Sequence, residues 1–87
     1  MKEIENKAAA LRYRQGNDSA PLLVAKGRGL VAERILALAR EHHIPIQEDK
    51  NMVEILSTLD LYEEIPPELY KAVAEILAFI YKMSGKL

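Results

Sequence analysis

Between Ala8 and Glu33 an apolar stretch, a polar turn, a second apolar stretch, a glycine-flanked arginine and a helix-forming run follow one another directly, and this order constrains the fold more than any other feature. Ala8-Ala9-Ala10-Leu11-Arg12-Tyr13 reads as a first strand. Gln15-Gly16-Asn17-Asp18-Ser19 ends it, with residues that tolerate positive φ or bond locally to the backbone. Leu22-Leu23-Val24-Ala25 is a continuous apolar run, better suited to a strand covered on both faces than to an alternating edge. Lys26-Gly27-Arg28-Gly29 then supplies a tight strand-to-helix turn, with Lys26, Gly27 and Gly29 as a candidate interaction loop. The succession is that of an α/β core.

The helix that follows, Leu30 to His42, is rich in Ala, Leu, Glu and Arg. Val31, Ile35, Leu38 and His42 recur at three- and four-residue spacing and define the face expected to meet the sheet, with Glu33, Arg40 and Glu41 toward water. Pro45 is expected to stop the helix by forcing the preceding residue out of the α region. Ile44-Pro45-Ile46-Gln47 reads as a short third strand, joined to the second by a crossover helix and therefore parallel to it. Asp49 is a natural N-cap for a helix from Lys50 to Leu59, whose apolar face is Met52, Val53, Ile55, Leu56 and Leu59. Asp60 to Ile65 reads as a connecting loop. Pro66 and Pro67 fit the first turn of a last helix, where Glu63, Glu64 and Glu68 meet its positive end. Leu69, Val73, Ile76, Leu77 and Ile80 form its apolar stripe. The expected fold is α/β, a small mixed sheet of about three strands surrounded by three to four helices in the order β-β-α-β-α-α. It forms one domain over residues 8–83, between a flexible segment 1–7 and a tail 84–87.

Composition removes several classes of function. A chain of 87 residues holds one modest core. With 49% apolar and 29% charged residues it is neither a disordered nor a membrane composition, and a net charge of -1 gives no general attraction to nucleic acid or anionic lipid. The absence of cysteine excludes disulfides, thiolate nucleophiles and cysteine-based zinc sites. The charged N-terminus lacks the apolar core of a secretory signal, and no run approaches the roughly 18 apolar residues of a membrane span. A cytoplasmic protein that selects partners by shape and apolar contact is expected.

Four constellations that suggest chemistry have simpler readings. Lys26-Gly27-Arg28-Gly29 lacks the spacing of a phosphate loop or dinucleotide fingerprint. His42 and His43, adjacent at a helix end, point in different directions and lack further metal ligands, whereas a helix C-terminus favours partly cationic imidazole. Glu63 and Glu64 suit the helix dipole better than paired acid-base work. Arg12, Arg14, Lys26 and Arg28 make the strands locally basic, without the aromatic platform that nucleic acid would need. No catalytic residue, metal site or cofactor is expected, and no nucleic-acid partner.

The succession Ala10-Leu11-Arg12-Tyr13, Ala20-Pro21, Val24-Ala25-Lys26-Gly27, Gly29-Leu30, Glu41-His42, Ile44-Pro45-Ile46, and Glu64-Ile65-Pro66-Pro67-Glu68-Leu69-Tyr70 with Ala72 to Ala78 resembles the cytoplasmic domain of the FlhB family, the export switch proteins of flagella and type III secretion. The resemblance covers about nine-tenths of the chain, in order. It implies a small mixed sheet wrapped by helices, stationed at the cytoplasmic mouth of a membrane export gate, that helps select which secreted subunits pass. Family members also carry membrane helices and an Asn-Pro-Thr-His loop that cuts its own backbone. In this sequence that loop falls on Glu3-Ile4-Glu5-Asn6, where the nucleophile and the proline are both replaced. Self-cleavage is therefore not expected, and the strand before the cut is missing, which would leave an open sheet edge.

By the same resemblance, the family's substrate-docking patch falls on Ala20, Pro21, Ala74 and Leu77. Small side chains and a proline suit a shallow dry surface for an apolar segment of a secreted protein. The leading expectation is a non-enzymatic component or modulator of protein export, resembling the released C-terminal switch fragment. Its partners would be gate proteins, export substrates and a membrane-embedded homologue, met at the cytoplasmic face of the inner membrane. A generic interaction domain that dimerises through an open sheet edge, or a small enzyme or nucleotide binder, are the competing classes.

Overall fold

Two strands pair antiparallel at the centre of the computed structural model, which describes residues 6–84 and the side chains of residues 6–82. They are β1 (Lys7–Arg12) and β2 (Leu22–Arg28), and the helices that follow are α1 (Leu30–Glu41), α2 (Lys50–Leu56) and α3 (Tyr70–Ser84), the last preceded by a 3-10 turn, Pro67–Leu69. The expected loop at Glu3–Asn6 and the tail 84–87 lie, apart from Asn6 and the backbone of Ser84, outside the described residues.

Strand pairing sorts the side chains by size. Ala10 faces Ala25 and Leu11 faces Leu23, so Val24 is an extra residue in a β-bulge. On one face of the sheet lie Ala9, Leu11, Leu23 and Lys26; on the other lie Ala8, Ala10, Ala25 and Gly27, all small. Helix α1 lies against the small face, where Ala32 is fully buried. The larger face carries the main core, in which Leu23 packs with Met52, Leu56, Leu59, Ile65, Leu69 and Val73. Both faces of β2 are thus covered, as its unbroken apolar run requires.

The third strand expected at Ile44–Gln47 does not form, so among the described residues the sheet is antiparallel rather than mixed and has two strands instead of three. Ile44 and Ile46 are 57% and 42% exposed, in an irregular connection. The position beside β2 is taken instead by residues 62–65, which sequence reading assigns to a loop. The Leu23 N–H donates to the Glu63 carbonyl at 3.0 Å, the Tyr62 N–H to the Leu23 carbonyl at 2.5 Å, and the Ile65 N–H to the Pro21 carbonyl at 3.0 Å. Leu22 and Glu64 form an antiparallel bridge. Pro66 holds Ile65 extended, as any proline does to its predecessor, and so favours this pairing.

Two details of the helices also depart from the periodicity. Helix α1 turns Ala32, Ile35, Leu36 and Ala39 inward, while Val31 and Leu38 remain 55% and 45% exposed and His42 is exposed. The inward face is displaced by about a quarter turn from the expected stripe, because the alanine-lined sheet accepts small side chains at close range. The helix stops before Pro45 acts. The Ile44 N–H donates to the Ala39 carbonyl at 2.8 Å and the His43 N–H to the Arg40 carbonyl at 3.2 Å, a Schellman motif with His43 at φ 57°. Helix α2 begins as expected, with the Asp49 side chain accepting from the Met52 N–H at 2.9 Å, but ends at Leu56. Leu59 is buried in the turn beyond it.

Gly27 and Gly29 have separate tasks. Gly29 takes φ 60° and ψ −128°, a conformation that strains an L residue, and so sets the angle at which α1 leaves β2. At Gly27 a Cβ would stand 2.2 Å from Val31 Cγ1 and 2.8 Å from Val31 Cβ, so the missing side chain is what admits α1. Gly27→Ala should cost about 1–3 kcal/mol in chemical denaturation, the range for overpacking. Adding Val31→Ala should recover part of that loss but not all, since the β-carbon remains too close.

The turn after β1 is fixed by one carboxylate. Asp18 accepts from the Arg14 N–H at 2.8 Å, and the guanidinium groups of Arg12 and Arg14 stand 3.5 and 3.6 Å from its oxygens. The backbone hydrogen bond first, and the two arginines after it, hold its carboxyl below the ordinary 3.8, against an opposing effect of burial. A depressed carboxyl adds stability that is full above its unfolded value and disappears as pH falls through the folded one. Unfolding midpoints followed downward from neutral pH should therefore begin to decline near pH 4, and Asp18→Asn should flatten that decline.

Candidate functional site

The residues singled out for partner contact lie on the ladder between β2 and residues 62–65 and on α3. Ala20 and Pro21 lead into β2. Both are buried, with the Pro21 carbonyl accepting from Ile65, and the Ser19 hydroxyl donates to the Glu64 carboxylate at 2.7 Å. Leu23 is fully buried two residues on, and Ile65 nearly so. A proline fits before a strand because its missing N–H leaves no ladder bond unmade.

On α3 the two remaining residues differ. Leu77 is half-buried and packs against the main core, whereas Ala74 is exposed. At 100° per residue, Leu69, Val73 and Ile80 share one line along the helix, and Ala74 and Leu77 lie to one side of it. The four residues are thus two unlike pairs: Ala20 and Pro21 form a closed edge beside the ladder, and Ala74 and Leu77 a small apolar flank that opens to solvent.

Lys26 and Gly27 lie inside β2 rather than in a loop, and of the three only Gly29 is in the turn. The Lys26 ammonium donates to the Ser57 carbonyl at 3.2 Å and the Leu59 carbonyl at 2.5 Å. These carbonyls follow the C-terminus of α2, where a cation is favoured by the helix dipole and satisfies acceptors the helix leaves open. Lys26 therefore fastens α2 to the sheet.

Sequence reading places a loop before Ile65 but does not foresee its left-handed turn. Tyr62 takes φ 68°, a left-handed conformation that a bulky side chain seldom adopts. Its backbone is held to Leu23, and the Glu63 side chain accepts from the Asp60 N–H at 2.8 Å. Leu61 and Tyr62 project into water. The sequence carries no glycine or asparagine there to signal such a turn.

Among the described residues no three potential metal ligands converge, and no helix is long and apolar enough to cross a membrane. His42 and His43 form the end of α1 described above. Glu63 and Glu64 bond to Asp60 and Ser19, on the stretch leading into the 3-10 turn.

Comparison with known proteins gives a consistent result. The protein YlqH of Bacillus subtilis is 46% identical over 77 residues, which is 88% of this chain and 83% of that one. The flagellar biosynthetic protein FlhB of Aquifex aeolicus is 39% identical over 74 residues, 84% of this chain but 21% of that protein, so the chain spans about a fifth of its flagellar relative. The crystal structure of the cytoplasmic domain of FlhB from Shewanella putrefaciens superposes with a TM-score of 0.81 at 33% identity, over 92% of this chain and 66% of that one. The fold therefore matches that cytoplasmic domain over almost the whole chain, and the family profile matches residues 5–80; the chain belongs to the FlhB HrpN YscU SpaS family.

Proposed function

We propose that this chain is a non-enzymatic component or modulator of flagellar or type III protein export, acting as the C-terminal switch domain of its relatives acts. The observation that supports this reading is the match of almost the whole chain to the FlhB cytoplasmic domain in sequence and in fold. In this reading the chain works in the cytoplasm, at the inner face of the membrane where an export gate opens. It docks gate proteins or apolar segments of secreted subunits.

The docking residues are Ala20, Pro21, Ala74 and Leu77, while Lys26 and Gly27 of β2 and Gly29 of the turn set the frame of the sheet and α1. Ala74 and Leu77 offer the open part of this surface. Small apolar area of this kind gives modest affinity, which suits a gate that must release each subunit before the next arrives. No nucleophile or acid-base pair is needed for such work. The sheet supports a second reading, dimerisation, since β1 is an edge of a two-stranded sheet and unpaired strand edges recruit other strands.

Expression in cells whose export switch protein lacks its cytoplasmic domain tests the proposal. Restored secretion and co-purification with gate proteins are the expected results, and absence of both would refute it. Ala74→Asp should reduce rescue and weaken gate binding by about tenfold, equivalent to about 1.4 kcal/mol. Its melting temperature should change little, because the position is exposed. A concentration-dependent dimer in sedimentation, without gate binding, would favour the second reading.

A further inference from the structure

On the opposite flank of α3 the structure has a second surface that the export reading does not use. Ala72, Ile76 and Phe79 lie on the other side of the Leu69–Val73–Ile80 line from Ala74 and Leu77. They form one wall of a shallow groove of about 380 Å³, whose other wall is the start of α2 with Asp49 and Met52. Gln47, in the irregular connection, also lines it.

Apolar and acidic side chains line the groove together. Met52 is buried, Ala72 and Ile76 are half-buried, and Phe79 is left 58% exposed beside the hollow. Asp49 and Glu75 line it as well. One Asp49 oxygen accepts from the Met52 N–H, and among the described residues neither carboxylate is in an ion pair. Two carboxylates outside any ion pair among the described residues disfavour an anionic lipid surface or a phosphate group. They favour cations on either side of an apolar anchor, and the face of Phe79 adds a further attraction for a guanidinium. The volume fits one or two aliphatic side chains.

We propose that this groove is a docking site for a linear segment of another protein in which an aliphatic side chain is flanked by lysine or arginine. The anchor rests on Met52, Ala72 and Ile76 against Phe79, and the flanking cations pair with Asp49 and Glu75. The site does not depend on the role given to Ala74 and Leu77, so either can fail without the other.

The test is a titration of the isotopically labelled full chain with a short synthetic peptide carrying central leucines between paired lysines. Saturable shifts at the amides of Met52, Ala72, Ile76 and Phe79 are expected. Glu75→Lys and Phe79→Ser should each weaken binding by about tenfold, and Glu75→Gln, which keeps the shape, by a smaller factor. Raising the salt concentration should weaken binding in the same direction. The proposal is overturned if a peptide with aspartates in place of the lysines binds equally well, or if the shifts map to Ala20 and Ala74. It is also overturned if the same amides shift on concentrating the chain alone, which would make a second copy the occupant.

Discussion

Strand β2 is bonded on both sides, and the rest of the molecule is arranged around that fact. One edge pairs with β1; the other, over its first residues, pairs with residues 62–65. Leu23 is consequently fixed in position, and the helices are placed by what they do to it. Residues 62–65 bring Ile65 against it and lead through Pro66 and Pro67 into α3, while Lys26 draws the end of α2 onto the same strand. The ladder is made of backbone bonds, whose net contribution is about 0.5–1.5 kcal/mol each. Their larger effect is to place two nearly inaccessible aliphatic side chains in one core.

The two faces of the sheet solve different packing problems. Beneath it, Leu23 and Leu11 need bulky partners, and α2, α3 and the turns around them supply Met52, Leu56, Leu59, Leu69 and Val73. Above it, Ala8, Ala10, Ala25 and Gly27 leave little height, and α1 descends until Val31 meets the space over Gly27. The Lys7 to Glu54 ion pair at 2.6 Å adds a link from β1 to α2, but it is largely exposed and contributes little. Specificity in this fold therefore comes from side-chain size, with charge in a supporting part.

Much of this was legible in the sequence, where local chemistry and tertiary demand agree. The two strands, the polar turn at Asp18, the Asp49 cap and the proline-led entry to the last helix all announce themselves through residues whose preference is intrinsic. The orientation of α1 did not, because periodicity marks an apolar stripe without saying how small the opposing surface is; Ala32 and Ala39 matter here, and alanine carries little hydrophobic signal beside the leucines, isoleucine and valine of the same helix. The third strand failed for a related reason. Ile44-Pro45-Ile46 has strand-like residues but no partner, while Tyr62-Glu63-Glu64-Ile65 has unremarkable residues and a partner at hand. Of the residues proposed for docking, Ala20 and Pro21 could be singled out only by resemblance to the family, since a small residue and a proline before a strand are equally good as plain turn chemistry.

The end of α1 has a structural corollary. Since His43 closes that helix with its own backbone and Asp49 opens the next with its side chain, residues 44–48 inherit no duty in the sheet. That stretch is a joint between two independently finished pieces. A joint of this kind can be lengthened or grafted onto while the architecture on either side is kept.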